Sequence, residues 1–172
     1  IAIPNLAELL DLVALGTVAD VVPLDANNRI LTWQGMSRIR AGKCRPGIKA
    51  LLEVANRDPQ KLAASDLGFA LGPRLNAAGR LDDMSVGVAL LLCDNIGEAR
   101  VLANELDALN QTRKEIEQGM QVEALTLCEK LERSRDTLPG GLAMYHPEWH
   151  QGVVGILASR IKERFHRPVI AF

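Results

Sequence analysis

The stretch that decides the fold occupies residues 98–133 and reads EARVLANELDALNQTRKEIEQGMQVEALTLCEKLER. It contains no proline, and Gly119 alone interrupts its run of helix-forming residues. Apolar residues recur every three or four positions, as on one face of a helix, at Leu102, Leu106, Leu109, Ile116, Met120, Ala124, Cys128 and Leu131. Because residues 110–118 are strongly polar, we predict a helix of roughly 50 Å that acts as a strut between two packed bodies.

The sequence before this helix predicts short helices joined by turns. An apolar helical pattern near the start is expected to break at Gly16, and a turn is expected over residues 18–23. A later helical segment is expected to end at Gly72, because Pro73 follows it. This part of the chain is therefore expected to be mostly helical.

The sequence after the long helix changes character. Residues 142–145 and 169–172 are typical of buried strands, and residues 152–165 between them are typical of a helix. This order predicts a βαβ unit with parallel strands. The expected fold class is α/β, with a mostly helical first part, a long connecting helix and the beginning of a second α/β domain.

Composition excludes several classes of protein. The chain has 172 residues and a formal net charge of -1, so it does not present a basic nucleic-acid-binding surface overall. Its three Phe, two Trp and one Tyr argue against an extended base-stacking platform. No run of about 18 apolar residues predicts a membrane span, and no secretory signal is visible.

The cysteines predict the compartment. Cys44, Cys93 and Cys128 are odd in number and far apart, which favours neither a zinc site nor a disulfide framework. A reducing cytoplasm is the expected location.

Asp20 is the first candidate for chemistry. It follows small and β-branched residues and precedes a proline turn, so its carboxylate is expected on a rigid, exposed corner. Mg²⁺ and Mn²⁺ prefer such oxygen ligands. The alternative, favoured by spacing alone, is an Asp that hydrogen-bonds its own turn.

Residues 72–80, GPRLNAAGR, form the second candidate. Arg74, Asn76 and Arg80 lie among small residues, which permit the close approach of a ligand. If Arg74 and Arg80 point the same way, their guanidinium groups form a two-pronged phosphate clamp. An equally weighted alternative is a structural junction whose arginines pair with Asp82 and Asp83.

His150 and Gly152 form the third candidate. Gly152 is expected to open a helix, where free amides favour an anion and the absence of a side chain allows a phosphate to approach. His150 then donates a hydrogen bond to that phosphate or to a transition state. The alternative, favoured when the residue is taken by itself, is a histidine that caps the helix or lies on the surface.

Two further basic features favour structural roles. Arg38, Arg40, Lys43 and Arg45 form a basic cluster that is expected to be a solvated loop rather than a nucleic-acid contact. Arg160 is expected to be a helix C-terminal charge rather than a phosphate contact.

Taken in order, three motifs resemble those of the DHH phosphoesterase superfamily, and most closely its bacterial exonucleases specific for single-stranded DNA. They are GTVADVVPL at residues 16–24, GPRLNAAGR at residues 72–80 and WHQGVVGILASR at residues 149–160. The resemblance covers the whole chain. It implies hydrolysis in the 5′-to-3′ direction that releases nucleoside 5′-monophosphates during DNA repair and recombination.

The resemblance also implies roles for single residues. Asp20 matches the last ligand of a site for two Mn²⁺ or Mg²⁺ ions, whose other ligands lie in Asp-x-Asp and Asp-His-His motifs that this sequence lacks. Arg74, Asn76 and Arg80 match a motif lining the phosphate track near the 5′ end. His150 matches a second-domain motif that acts in catalysis, with Gly152 as a phosphate contact.

On this resemblance, residues 1–95 are the C-terminal part of the DHH catalytic domain and residues 96–135 are the connecting helix. Residues 136–172 are the truncated N-terminal part of a DHHA1-type domain. The expected partners are single-stranded DNA, a single-strand-binding protein and a helicase, with no membrane. The chain alone is expected to be inactive.

Two other functions remain open from the sequence. One is a DHH phosphodiesterase that acts on short oligonucleotides or cyclic dinucleotides. The other is a non-catalytic DNA-binding relative that keeps the fold without the metals.

Overall fold

The computed structural model describes residues 5–134 and 139–172, and the predicted boundary between residues 135 and 136 lies outside them. The chain divides into two compact units, Ile1–Asn110 and Gln111–Phe172. The three predicted domains remain a prediction, since the division into units falls inside the long helix.

Unit 1 is helical throughout the described residues. A short 3₁₀ turn, Leu6–Leu9, precedes the first α-helix, and a second, Pro59–Lys61, follows the third. The α-helices are α1 Leu10–Ala19, α2 Ala26–Arg40, α3 Pro46–Val54, the single turn α4 Ala64–Asp66, α5 Gly72–Leu81 and α6 Ser85–Leu92. Helix α7, Ile96–Ser134, begins in this unit.

Two glycines allow the helices of unit 1 to pack closely. A Cβ at Gly35 of α2 would lie 2.0 Å from the carbonyl oxygen of Leu10 and 2.6 Å from the Cβ of Ala14, both on α1. A Cβ at Gly47 of α3 would lie 2.2 Å from the carbonyl oxygen of Leu90 on α6. Both pairs of backbones are therefore in a contact that no side chain larger than hydrogen permits.

The core of unit 1 lies between these helices. Its fully buried side chains come from several different helices and from the first part of α7; they include Ile39, Ile48, Leu51, Leu67, Leu71, Leu90 and Leu106.

Helix α1 runs through the break predicted at Gly16 and ends at Ala19. That prediction was wrong because a single glycine costs a helix only about 1 kcal/mol, which packing against α2 offsets.

The prediction that a helix ends at Gly72 was also wrong. Residues 67–71 form a π-helix, and α5 continues directly from it. Pro73 has no N–H to donate to the carbonyl of Phe69, and its ring crowds that carbonyl. The wider π-turn, in which the N–H of Gly72 donates to the carbonyl of Leu67, lets the helix pass the proline.

The long helix predicted from the sequence is confirmed. Helix α7 has 39 residues, which corresponds to about 58 Å. Ala99, Ala103 and Leu106 on its first part are buried in unit 1, whereas Met120 and Ala124 on its second part are buried in unit 2. Helix α7 thus contributes one apolar stripe to each unit.

Unit 2 contains the predicted βαβ arrangement. Strands β1, Leu142–Met144, and β2, Val169–Ala171, pair in parallel with Leu142 opposite Val169. Helix α8, Val154–Phe165, lies between them in sequence and buries Leu157 and Ile161. The mostly helical α/β fold class is therefore confirmed.

Within the part of the chain that the structure describes, no helix is long and apolar enough to cross a membrane. Cys44, Cys93 and Cys128 are free thiols. Cys128 is buried, and this burial raises the pKa of its thiol.

The Gly35 contact predicts the outcome of a matched pair of glycine substitutions. Gly35→Ala forces the Leu10 backbone away from α2, so we expect the free energy of unfolding to fall by about 1–3 kcal/mol or more. Gly16→Ala is the control, because a Cβ there meets nothing within 4 Å and alanine favours the helix by about 0.5–1 kcal/mol. Thermal denaturation of both variants measures the difference. Equal stability of the two variants would contradict the packing described.

Candidate functional site

The carboxylate of Asp20 stands on a strained corner. Asp20 follows the last residue of α1 and is exposed, and its backbone N–H donates to the carbonyl of Gly16 at 3.0 Å. The next residue, Val21, has a φ of +55°, in the left-handed region that β-branched residues rarely adopt. Such a conformation costs about 1–3 kcal/mol and persists only where neighbouring contacts impose it.

Backbone hydrogen bonds impose this conformation. The N–H of Val21 donates to the carbonyl of Val18 at 3.2 Å, and that of Val22 donates to the carbonyl of Thr17 at 3.0 Å. The expected rigid, exposed corner is therefore present, with its backbone fixed on both sides of Asp20.

The same corner packs against the second motif. A Cβ at Gly72 would lie 3.1 Å from the Cβ of Ala19, and a Cβ at Gly68 would lie 3.5 Å from Cγ1 of Val18. The end of α1 thus lies against the π-turn and the first residue of α5. The structure brings the first two motifs together within unit 1 through contacts between small side chains.

Asn76 and Arg80 lie on one exposed face of helix α5, and Arg74 lies on a different side of the helix. Nε of Arg74 donates to Oδ1 of Asp107 on α7 at 2.8 Å, and Nη1 donates to the carbonyl of Ala70 at 2.7 Å. The side chain of Arg74 is only 13% exposed. The guanidinium of Arg74, one of the two prongs expected for the clamp, is therefore held by Asp107 and by the carbonyl of Ala70.

The expected alternative for Arg74 was wrong as well. Its partner is Asp107 rather than Asp82 or Asp83. The sequence offered no signal for this pair, since Asp107 lies in the long helix, 33 residues further on. Arg74 ties α5 to α7 and so fixes the direction of the face that carries Asn76 and Arg80.

In unit 2, His150 caps the turn that leads into α8. Its Nδ1 accepts a hydrogen bond from the N–H of Gly152 at 3.1 Å, and its carbonyl accepts from the N–H groups of Val153 and Val154. The predicted open amide of Gly152 is thus engaged by His150, and α8 begins two residues later, at Val154. The reason is local, because the imidazole reaches an amide two residues on.

This cap fixes the chemistry that His150 offers. A neutral imidazole whose Nδ1 accepts a hydrogen bond carries its proton on Nε2. His150 is half-buried, and in this tautomer Nε2 is a hydrogen-bond donor. The capping alternative and the donor role are therefore compatible, since they use different nitrogens.

Trp149 positions this motif, and sequence reasoning missed it. The indole is buried, and its Nε1 donates to Oε2 of Glu123 on α7 at 2.8 Å. A tryptophan next to a candidate histidine is a usable signal, because a buried indole N–H needs an acceptor.

The basic cluster between α2 and α3 has structural contacts. Nε and Nη2 of Arg40 donate to the carbonyl of Leu62 at 3.0 and 2.6 Å. The backbone N–H of Arg45 donates to the fully buried carboxylate of Asp11 at 2.8 Å. Arg38 and Lys43 line a cavity of about 360 Å³ together with acidic side chains.

Arg160 lies within α8, and its Nε is 3.3 Å from Oε1 of Glu117 on α7. Arg160 therefore forms an ion pair with Glu117 between α8 and α7, and it does not act as a charge at the C-terminus of the helix.

In residues 5–134 and 139–172, no group of three or more His, Cys, Asp or Glu side chains could hold a metal ion. Asp20 supplies one exposed carboxylate of the kind that Mg²⁺ and Mn²⁺ prefer. It therefore fits as one ligand of a larger set.

Comparison with known proteins gives a match over the whole chain. Over all 172 residues, the chain is 99% identical to a segment of the "Single-stranded-DNA-specific exonuclease RecJ" of Escherichia coli (strain K12). The chain is therefore similar to this RecJ protein along its whole length. It spans about 30% of the length of that relative. No protein-family model matches the chain.

Two solved RecJ structures share the fold. The crystal structure of RecJ from Thermus thermophilus in complex with Mg²⁺ matches with a TM-score of 0.83 and 37% identity, over 98% of this chain and 26% of that one. The structure of exonuclease RecJ bound to manganese matches with a TM-score of 0.81 and 37% identity, over 99% of this chain and 41% of that one.

Proposed function

We propose that this chain is part of a metal-dependent exonuclease of the DHH superfamily. The enzyme removes nucleoside 5′-monophosphates from the 5′ end of single-stranded DNA. The observation that carries the proposal is the contact of the Asp20 corner with the start of α5, through Ala19 and Gly72. This contact supports the proposal because the exposed carboxylate of Asp20 directly follows Ala19, and α5 carries Asn76 and Arg80 among its exposed residues.

Asp20 is proposed as one ligand of two Mn²⁺ or Mg²⁺ ions. Its exposed carboxylate and fixed backbone suit a hard cation, and related RecJ structures carry Mg²⁺ or manganese. The chemistry that such ions supply when bound is stabilisation of charge on the phosphate and acidification of a water molecule. The task of this chain is to hold the carboxylate in place.

Asn76 and Arg80 are proposed as the phosphate contacts. The chain has a net charge of -1, so attraction for a polyanion depends on where single arginines lie. Arg80 lies on the exposed face of α5, and guanidinium groups bind phosphate oxygens in pairs. Arg74 is proposed as a positioning residue, because Asp107 holds it against α7.

His150 is proposed to donate a hydrogen bond from Nε2 to a non-bridging phosphate oxygen. Such a bond stabilises the extra charge that develops on phosphorus-bound oxygens in the transition state. Gly152 contributes through its N–H, which holds the imidazole by Nδ1. Trp149 and Glu123 keep the turn against α7.

The reaction is hydrolysis of a phosphodiester. A water oxygen forms a bond to the phosphorus that links the first two nucleotides, and the bond from that phosphorus to the 3′-oxygen breaks. The 3′-oxygen takes up a proton, the first nucleotide leaves as a 5′-monophosphate, and the shortened strand keeps a 5′-phosphate.

This function implies a setting. We propose that the enzyme acts in the cytoplasm in DNA repair and recombination, with a single-strand-binding protein and a helicase as protein partners. The name of the matched relative favours this function over an oligonucleotide or cyclic-dinucleotide phosphodiesterase and over a non-catalytic relative.

The proposal is tested at Asp20 in the intact E. coli RecJ protein, written in the present numbering. Asp20→Asn keeps the size of the side chain and removes a negative ligand, so we expect kcat with 5′-phosphorylated single-stranded DNA to fall by several orders of magnitude. DNA affinity without divalent metal is expected to change little.

The matched control for Asp20 is Asp25→Asn. Asp25 is an exposed carboxylate that caps α2, with its Oδ1 accepting from the N–H of Asn28 at 2.8 Å, and asparagine caps equally well. This variant is expected to keep full activity. An Asp20→Asn enzyme that is folded and keeps a tenth of its activity shows that Asp20 is not a metal ligand.

The donor role of His150 predicts a difference between two variants. Asn at position 150 can still accept from the N–H of Gly152, but it has no donor at the position of Nε2. We therefore expect His150→Asn to keep its melting temperature and to lose roughly 10- to 100-fold in kcat/KM, whereas His150→Ala lowers both. Full activity in His150→Asn would show that the histidine only caps the turn.

A further inference from the structure

Phe69 is the most exposed of the large apolar side chains in residues 5–134 and 139–172, with 86% of its surface accessible. Its neighbours Leu67 and Leu71 are fully buried in the core of unit 1. The segment is therefore well anchored, and one aromatic ring projects from it.

The π-turn sets the direction of this ring. Phe69 is the central residue of the π-helix Leu67–Leu71, which accommodates Pro73. π-turns inside α-helices are uncommon and occur frequently at functional sites.

The ring lies on the same face as the proposed phosphate contacts. In α5, residues 73, 76 and 80 follow the spacing i, i+3 and i+7 along one side of the helix. Phe69 stands one turn before Pro73, in the wider π-turn that leads into this side. Phe69, Asn76 and Arg80 are all exposed. Phe69 and Arg80 are about 16 Å apart along the axis, a distance of about five nucleotides in a stacked strand.

We propose that Phe69 is a stacking platform for one base of a single strand of nucleic acid whose phosphates contact Asn76 and Arg80. This inference rests on the proposed function and deepens it, since it assigns a base-binding residue. A single strand offers both kinds of group that this face needs, a base for the aromatic ring and phosphate oxygens for the guanidinium group.

The sequence argued against an extended stacking platform, because aromatic residues are few. A single aromatic ring at a fixed position differs from an extended platform because it contacts only one base. It holds one base whatever its identity, since every base has a π-face. Phe69 therefore aids affinity and placement of the strand without sequence preference.

The test measures binding of single-stranded DNA by the intact E. coli RecJ protein without divalent metal, so that the strand is not degraded. A set of oligonucleotides carries one abasic site at successive positions from the 5′ end. We expect the wild-type protein to lose affinity at one position. Phe69→Leu is expected to bind the unmodified strand roughly 5- to 150-fold more weakly and to be insensitive to that abasic site.

Three variants serve as controls. Phe69→Trp keeps an aromatic face and is expected to retain affinity and the abasic pattern. Trp33→Leu removes an aromatic ring that is 60% exposed on α2 and is expected to change neither. Arg80→Ala is expected to weaken binding at every abasic position alike and to reduce the dependence on salt.

The outcomes separate the two proposals. Unchanged affinity of Phe69→Leu for single-stranded DNA overturns the stacking role. The stacking role also fails if Phe69→Leu loses the same affinity for every oligonucleotide of the set and has a lower melting temperature. If the wild-type protein binds no single-stranded DNA, the proposed function fails together with this inference. If it binds and shows no sensitive position, only the stacking role fails.

Discussion

The close approach of α1 to its neighbours is the constraint on which the rest of unit 1 depends. Gly35 lets α2 contact the backbone of α1, and Gly72 lets the first residue of α5 contact Ala19. Side chains at these glycines would push the helices apart by a distance comparable to a methyl group, which a packed core does not absorb without cost. The Asp20 corner has its position because α1 is held on both sides.

Helix α7 makes the second set of constraints, and in each unit a polar contact ties a candidate motif to it. In unit 1, Arg74 lies two residues before Asn76 on α5, and it donates a hydrogen bond to Asp107 on α7. In unit 2, Trp149 lies directly before His150, and it donates a hydrogen bond to Glu123 on α7. In both motifs a residue one or two positions before the proposed functional side chain ties the backbone to α7, and the functional side chain remains at least partly accessible.

Much of the fold could be predicted from the sequence because it depends on regular patterns. The long apolar repeat predicted α7, and the alternation of strand, helix and strand predicted the parallel pair in unit 2. The errors occurred at Gly16 and at Gly72, where tertiary contacts overrode the usual effect of glycine and proline. A π-turn is invisible to a rule that treats proline as the end of a helix.

The sequence proposed individual site residues, but their contacts could not be predicted from it. The exposed corner at Asp20 followed from local sequence, whereas the partner of Arg74 and the role of Trp149 depend on residues far along the chain. The capping of Gly152 by His150 is short-range, yet which ring nitrogen accepts is a matter of side-chain geometry. The face shared by Phe69 and Arg80 emerges only once the helix is seen to continue through Pro73.

The central claim is that contact between Ala19 and Gly72 holds the Asp20 corner against α5. It is tested most directly by adding a methyl group at Gly72, then removing the one at Ala19, in the intact E. coli RecJ protein, and measuring kcat each time. Gly72→Ala places a Cβ 3.1 Å from that of Ala19, and we expect the displaced corner to lower kcat about tenfold. Adding Ala19→Gly removes the contact with the Ala19 Cβ and leaves the approach to the carbonyl oxygen of Leu67 at 3.2 Å, so the double variant is expected to recover part of the lost activity. Full activity in Gly72→Ala, or a loss that Ala19→Gly does not relieve, would contradict the account.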